Sequence, residues 1–181
     1  MRGVDKNLDK WSQVEDFGTR VSGTCLLPTK ALSTVESHGH TVETFLSANP
    51  NVSSIIDLSS EVEDYKISDH FPNVRHLKLS FESKVIPSQQ HVDKFINLVQ
   101  DNLPLDQING LIAVHCHYGF NRTGFLVCCY LCQVHHLTPS DAINRFKLAR
   151  PPGIKHEHFL AELYRRYSGN VEESKEEDAT T

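Results

Sequence analysis

The segment from Val114 to Gly124, which reads VHCHYGFNRTG, constrains the fold most strongly. It lies between a short apolar run at residues 111–114 and a longer one at residues 125–131, which predict a buried strand and a buried helix. A glycine-containing loop between a strand and a helix presents free backbone N–H groups, and the helix dipole favours negative charge there. The sequence therefore predicts an anion-binding loop at the carboxyl end of a core strand.

Cys116 begins this loop and Arg122 ends it, with five residues between them. A cysteine is a useful nucleophile only as the thiolate, and a helix N-terminus with a nearby arginine lowers its pKa well below about 8.5. The same N–H groups and the forked guanidinium suit a phosphoryl group, because arginine can bind two of its oxygens at once. Thr123 is placed to donate its hydroxyl to the sulfur when the thiolate leaves again. We expect His115 and Asn121 to orient the loop through hydrogen bonds.

Two other interpretations of this loop are weaker. Gly119 and Gly124 have the spacing of a nucleotide-binding P-loop, but Phe125 stands where that motif needs lysine. A buried cysteine beside a turn could simply pack as a small hydrophobe. Against this, Cys116 and Arg122 coincide with the strand–loop–helix context, which favours a nucleophile in a phosphate-binding loop.

The length and composition bound the domain organisation. A chain of 181 residues with 39% hydrophobic residues suits one ordinary core. The formal charge of −5 does not indicate a general nucleic-acid binder, which is usually basic, and most of it falls in the last residues. We expect an N-terminal arm at residues 1–16, anchored by Trp11, one folded domain at residues 17–169, and an acidic flexible tail at residues 170–181.

The chain has five cysteines, an odd number. It has neither the apolar N-terminal run of a signal peptide nor an apolar run long enough to span a membrane. The sequence therefore predicts no membrane partner and reduced cysteines, in the nucleus or cytoplasm. A reducing compartment also suits a catalytic thiolate, which oxidises easily.

Hydrophobic spacing predicts strands and helices that alternate through the middle of the chain, with helices following. This order favours an α/β fold with a central, mainly parallel sheet flanked by helices. The predicted strands lie at residues 21–27, where Pro28 ends the strand, at residues 54–58, at residues 74–79 and in the central segment before the loop. The predicted helices are a short one carrying Val42, Phe45 and Leu46, one capped by Ser88 that buries Val92, Phe95, Ile96 and Val99, the buried helix after the loop, one that begins at Thr138 and Pro139, and a last one carrying residues 159–167.

Cys129 and Cys132, followed by His135 and His136, have some of the residue types of a zinc site. Structural zinc sites pair two such knuckles on turns, and the sequence has no second pair. On a helix, Cys129 and Cys132 would instead be neighbours on one apolar face. We therefore predict no metal.

The His-Cys-x5-Arg-Thr-Gly pattern of residues 115–124 resembles the signature loop of the cysteine-dependent phosphatases, which include protein tyrosine and dual-specificity phosphatases. The sequence from His115 to Phe125 is most similar to the RNA 5′-triphosphatase domain of metazoan-type mRNA capping enzymes. Residues 149–154 and 163–167 resemble that domain too, and the resemblance covers roughly residues 17–169. It implies a dual-specificity-phosphatase-like fold, a phosphocysteine intermediate, a phosphorylated substrate and no cofactor.

The expected substrate-binding residues lie in the loop and in one later stretch. Arg150 and Lys155 resemble the stretch near the catalytic pocket of the family. We expect these two to contact a polyanionic substrate, although a solvated basic face is the simpler alternative. The loop residues expected to bind substrate are His117, Tyr118, Gly119, Phe120, Asn121 and Arg122.

The stretch from Phe81 to Pro87 bears on the substrate. Family members that act on proteins usually have an aspartate there that protonates the leaving oxygen, but this stretch has none, and only Glu82 could substitute. A tyrosine leaving group has a pKa near about 10 and gains much from such an acid, whereas phosphate, titrating near about 6, can leave unprotonated. The sequence therefore favours a phosphoanhydride such as an RNA 5′-triphosphate. The alternatives are a dual-specificity protein phosphatase, an inositol phosphate or pyrophosphate phosphatase, and a phosphate-binding module without turnover.

Overall fold

The computed structural model describes residues 7–60, 65–67, 70–106 and 108–171. The predicted acidic tail lies outside this part of the chain from residue 172 onward.

The centre of the fold is a parallel sheet whose strand order is β1-β4-β2-β3. The central strand predicted before the loop is β4, and it lies between β1 and β2. Parallel strands are buried on both faces, which explains why β4 is an uninterrupted apolar run. The predicted α/β fold with a mainly parallel sheet is confirmed. The strands are β1 (Leu26–Thr29), β2 (Val52–Ser59), β3 (Arg75–Phe81) and β4 (Leu111–His115).

Helices cover both faces of the sheet. Ile112 and Val114 of β4 belong to the larger core, to which α3, α4, α5 and α6 contribute, whereas Ala113 belongs to a smaller core with α2. This alternation follows from the two-residue period of a strand. The helices are α1 (Leu8–Ser12), α2 (Val42–Ala48), α3 (Gln89–Asp101), α4 (Asn121–Val134), α5 (Pro139–Ala149) and α6 (Glu157–Tyr167), with short 3₁₀ turns at Glu36–His38 and Ser168–Val171.

Two predicted helix starts are confirmed by their caps. The Ser88 hydroxyl accepts a hydrogen bond from the backbone N–H of His91, at 3.4 Å, where α3 begins. The Thr138 hydroxyl accepts one from the backbone N–H of Asp141, at 3.2 Å, where α5 begins. In both cases a side chain satisfies a donor that the first helical turn leaves unpaired.

The predicted first strand was wrong in its position. Pro28 does not end β1 but lies inside it, paired in register with Val114 of β4. β1 is an edge strand of the sheet, and on its outer side the Pro28 carbonyl oxygen accepts from the Gly18 N–H at 2.8 Å, a contact that needs no N–H from Pro28. The segment at residues 21–24 instead forms a turn, in which the Thr24 N–H donates to the Val21 carbonyl at 3.0 Å.

Candidate active site

The loop from Cys116 to Arg122, called the signature loop here, joins β4 to the start of α4 at the carboxyl end of the sheet. Asn121 fixes one side of it, because its Oδ1 accepts hydrogen bonds from the N–H groups of Lys155 (2.7 Å) and His156 (3.0 Å). Gly119 has a φ of +73°, and a Cβ there would collide with the carbonyl oxygen of Thr29, so only glycine fits. The loop is therefore held from both sides.

The Cys116 side chain is 4% exposed and lies among groups that favour its thiolate. Burial alone would raise the pKa of this thiol, but the Arg122 charge, the Thr123 hydroxyl and N–H, and the Gly119 N–H outweigh it. The pKa of Cys116 is therefore below its ordinary value. The pattern of cysteine, arginine and threonine predicted from sequence is thus brought together around one sulfur atom.

The sheet itself positions Arg122, which is 7% exposed. Its Nη1 donates to the carbonyl oxygen of Phe81 at 2.8 Å and to that of Leu58 at 3.4 Å. Both acceptors lie near the carboxyl ends of strands, Leu58 in β2 and Phe81 at the end of β3. A planar fork fixed at one nitrogen has a defined orientation for a bound anion, which a flexible lysine would lack.

His115 supports the loop from below. Its Nδ1 lies 3.0 Å from the Cys116 carbonyl oxygen and its Nε2 lies 2.5 Å from the Tyr65 hydroxyl. Because a carbonyl oxygen only accepts, Nδ1 donates to it, and Nε2 hydrogen-bonds the Tyr65 hydroxyl. Burial lowers the pKa of His115, although Asp57 opposes this effect. The His115 ring therefore connects the Tyr65 hydroxyl to the backbone of Cys116 through two hydrogen bonds.

A buried carboxylate completes this support. Asp57 accepts hydrogen bonds from Lys78 Nζ at 2.6 Å and from the Ser59 hydroxyl at 2.6 Å, and its Oδ1 lies 3.8 Å from His115 Nδ1. Burial would raise the pKa of Asp57, but His115, Lys78 and Ser59 together hold it below the ordinary value. Sequence reasoning missed both Asp57 and Tyr65. An aspartate inside the apolar run of β2 was the available signal, since buried charges are nearly always paired.

Removing the Tyr65 hydroxyl should destabilise the fold. Tyr65→Phe removes the hydroxyl that hydrogen-bonds the buried Nε2 of His115, so we expect the free energy of unfolding to fall by about 1–3 kcal/mol. Urea denaturation of the purified protein measures this loss. The matched control is Tyr164→Phe, because Tyr164 is 45% exposed. Equal stability of the two variants would contradict the support assigned to Tyr65.

Arg150 does not lie where a substrate contact was expected. It is 1% exposed, its Nη2 donates to the Tyr118 carbonyl oxygen at 2.9 Å, and its guanidinium carbon lies 5.1 Å from the Phe120 ring centroid. Burial lowers the pKa of Arg150 to about 10, against the opposing effects of Cys116 and nearby acids. Arg150 therefore supports the signature loop from behind, a correction that follows from its burial.

Lys155 remains at the surface. Its side chain is exposed and its Nζ lies 5.0 Å from the centroid of the Phe120 ring, on the loop. Its firm attachment is through its backbone N–H to Asn121. Lys155 therefore lies near the loop, and its contact with the substrate stays a prediction.

A pocket of about 270 Å³ opens above the signature loop. Glu82, the predicted substitute acid, is exposed and is not among the described residues that line it. Ser83 and Lys84 from the same stretch do line it, and none of the described lining residues is acidic. The lining residues are Asn7, Ser60, Ser83, Lys84, Cys116, His117, Tyr118, Phe120, Asn121, Arg122 and His156.

Cys129 and Cys132 lie on the buried face of α4, as the helical spacing predicts. Burial raises the pKa of Cys129 to about 12 and that of Cys132 to about 11. Zinc binds the thiolate, so this environment disfavours it. In the described part of the chain, no group of three or more potential ligands is placed to hold a metal ion.

None of the helices in the described part of the chain has the length and apolar character needed to span a membrane.

Comparisons with known proteins agree with this geometry. The sequence profile of the dual specificity phosphatase catalytic domain matches residues 35–168. An RNA/RNP complex-1-interacting phosphatase homolog of Caenorhabditis elegans is 32% identical, covering 86% of this chain and 74% of that protein. The mRNA-capping enzyme of Danio rerio is 36% identical over 66% of this chain, but the match spans only 20% of the enzyme.

The solved structure of human DUSP28 has the same fold, with a TM-score of 0.61 and 17% identity over 86% of this chain and 95% of that one. The fold and the profile together settle the family. The chain belongs to the dual specificity phosphatases and is a cysteine-type phosphatase.

Proposed function

We propose that this phosphatase removes the terminal phosphate of RNA 5′-triphosphate ends, without a metal, through a phosphocysteine intermediate. One observation carries the choice of substrate. Lys84 and His156 line the same pocket as Cys116 and Arg122, and no acid does so among the described lining residues. A site whose described lining residues are cationic or hydrogen-bonding and include no carboxylic acid suits a chain of phosphates.

The leaving group explains why such a pocket suits a phosphoanhydride. Expelling a tyrosine or serine oxygen requires a proton in the transition state, which an acid beside the pocket would supply. Expelling a diphosphate requires none at neutral pH, but it leaves negative charge on the departing oxygen. Lys84 and His156 lie in the pocket where they could stabilise that charge. The names of the two relatives, one an RNA/RNP complex-1-interacting phosphatase homolog and the other an mRNA-capping enzyme, support the same choice.

The proposed reaction has two steps. The Cys116 thiolate attacks the terminal phosphorus, forming a sulfur–phosphorus bond while the bond to the bridging oxygen breaks and the diphosphate end departs. Water then attacks the phosphocysteine, releasing inorganic phosphate, and the Thr123 hydroxyl stabilises the returning thiolate. Arg122 and the loop N–H groups hold the equatorial oxygens in both steps.

All five cysteines are free thiols, which supports the expected reducing compartment, nucleus or cytoplasm.

A direct comparison of substrates tests this proposal. Phosphate release is measured with triphosphate-ended RNA, a phosphotyrosine peptide and an inositol polyphosphate, side by side and with EDTA present. We expect the highest kcat/KM on the RNA, unaffected by EDTA. A higher kcat/KM on the phosphopeptide would instead support the alternative, a dual-specificity protein phosphatase, which the family profile also fits. A preference for the inositol polyphosphate would instead support the other alternative, an inositol phosphate or pyrophosphate phosphatase.

Lys84 should discriminate between these substrates. Lys84→Met removes a positive charge from the pocket, so we expect the KM for triphosphate-ended RNA to rise about tenfold, as for the loss of one charge-assisted hydrogen bond. The KM for p-nitrophenyl phosphate, which has one phosphate, should change less than about twofold. Steady-state kinetics on both substrates measure the difference. Lys94→Met, at an exposed position on α3, is the control. An equal rise on both substrates would contradict a polyphosphate site.

A further inference from the structure

Helix α1 is fixed to the body of the domain by a buried lysine. Lys30 Nζ lies 3.9 Å from the centroid of the Trp11 ring and donates to the carbonyl oxygens of Trp11 (3.1 Å) and Val14 (2.8 Å). It also forms an ion pair with Asp16 at 2.9 Å. Both Trp11 and Lys30 are buried, so the segment at residues 7–16 has a defined position.

The same anchor reaches the signature loop. Leu8 and Tyr118 pack against the buried pair Trp11 and Ala31. The Ala31 N–H donates to the carbonyl oxygen of His117 at 3.0 Å, which ties the end of β1 to the loop. α1 and the aromatic part of the loop therefore share one small cluster, and α1 sets the surroundings of the Tyr118 ring.

Asn7 and Tyr118 both line the pocket above Cys116. Asn7 occupies the N-cap position of α1, where asparagine usually caps the helix with its side chain, but its side chain makes no such bond. Tyr118 is partly exposed, and its ring lies 4.4 Å from that of His117. One part of the pocket thus combines the Tyr118 ring with the Asn7 side-chain amide, which does not cap α1.

We infer that Asn7 and Tyr118 form a subsite for the first nucleobase of the RNA. This inference rests on the proposed function, because it places the base beside a phosphate chain bound by the signature loop. Aromatic rings stack on every base, and an amide can both donate to and accept from a base edge. Lys84 and His156 meanwhile bind phosphate oxygens. The subsite therefore makes the enzyme selective for a nucleoside-linked triphosphate over the bare phosphate chain.

Two substrates that differ only in the nucleoside part test the subsite. The full chain is assayed with triphosphate-ended RNA and with inorganic tripolyphosphate, the latter read as substrate or as competitive inhibitor. For Tyr118→Ala we expect kcat/KM on the RNA to fall about tenfold, the size of one lost stacking contact. Because Tyr118 also belongs to the signature loop, the decisive readout is the ratio of the RNA constant to the tripolyphosphate constant, which should fall about fivefold or more. Tyr118→Phe, which keeps the ring, is expected to keep the wild-type ratio between the two substrates.

Asn7→Ala provides a second variant at an exposed position, and because Asn7 has a φ of +65°, urea denaturation checks that this variant keeps the wild-type stability. We expect about a threefold loss on the RNA alone, as for one neutral hydrogen bond. Tyr164→Ala, which removes an exposed tyrosine from α6, is the matched control. If Tyr118→Ala and Asn7→Ala lower both substrates equally, or neither, the subsite is refuted while RNA triphosphate hydrolysis stands. If the wild type prefers the phosphopeptide, the proposed function itself fails, whatever the variants do.

Discussion

Cys116→Ser is expected to reduce phosphate release from every substrate by a factor on the order of 10⁵, the scale of losing a catalytic nucleophile. The groups around the sulfur lower the pKa of a thiol into a useful range, but a hydroxyl starts far too high for the same groups to ionise it. The variant should still bind substrate, because Arg122 and the loop N–H groups remain. Phosphate release and equilibrium binding, measured on the same preparation, separate the two effects.

Cys25→Ser is the matched control for this substitution. Cys25 is also buried, but burial raises the pKa of its thiol, so no thiolate is lost there. We expect this variant to keep its activity within about twofold. Turnover by Cys116→Ser at the wild-type rate would show that the Cys116 sulfur takes no part in the reaction.

Arg122→Lys is expected to lower kcat/KM by about 10²–10³-fold, the usual cost of one donor at a developing charge. Arg122 donates to the Phe81 and Leu58 carbonyl oxygens with one nitrogen, so the rest of the guanidinium has a fixed direction toward the anion. Lysine has the charge but not the fork, and it cannot hold the carbonyls and a phosphoryl group in one geometry. The loss should appear for all phosphorylated substrates.

The same variant should also change the pH profile. Arg122 is the strongest of the influences that lower the pKa of Cys116, so the thiolate forms at lower pH in the wild type than it would without them. Lysine keeps the charge but cannot hold it at the same place beside the sulfur, so the pKa of Cys116 should rise and the acidic limb of kcat/KM should move to higher pH. Arg165→Lys, on the exposed end of α6 beside Glu162, is the control and should leave the limb in place. An unmoved limb in Arg122→Lys would mean that Arg122 does not stabilise the thiolate.

The parts of this molecule that could be predicted from sequence are those governed by local rules. The strand–loop–helix around Cys116 follows from hydrophobic run length, and the caps at Ser88 and Thr138 follow from side-chain chemistry next to an apolar helix face. The position of Arg122 beside the sulfur follows from five intervening residues. None of these requires knowledge of distant contacts.

The remaining features depend on pairing between distant segments. Whether Pro28 ends a strand depends on whether that strand lies at the edge, which is decided by the order of all four strands. The sequence predicts a substrate contact for Arg150, and only its packing against the loop shows that it is buried. Tyr65 meets His115 fifty positions along the chain, and Lys30 meets Trp11 nineteen positions away. Local sequence patterns do not predict such contacts between residues that are distant in the chain.

The most direct test of the central claim follows the phosphoryl group itself. Wild-type protein is mixed with RNA carrying a labelled terminal phosphate, quenched in acid during the first turnover, and digested for mass spectrometry. We predict one added phosphoryl group on the peptide that contains Cys116, and none in Cys116→Ser. Label released to inorganic phosphate at the full rate without ever residing on Cys116, or found on another residue, would contradict it.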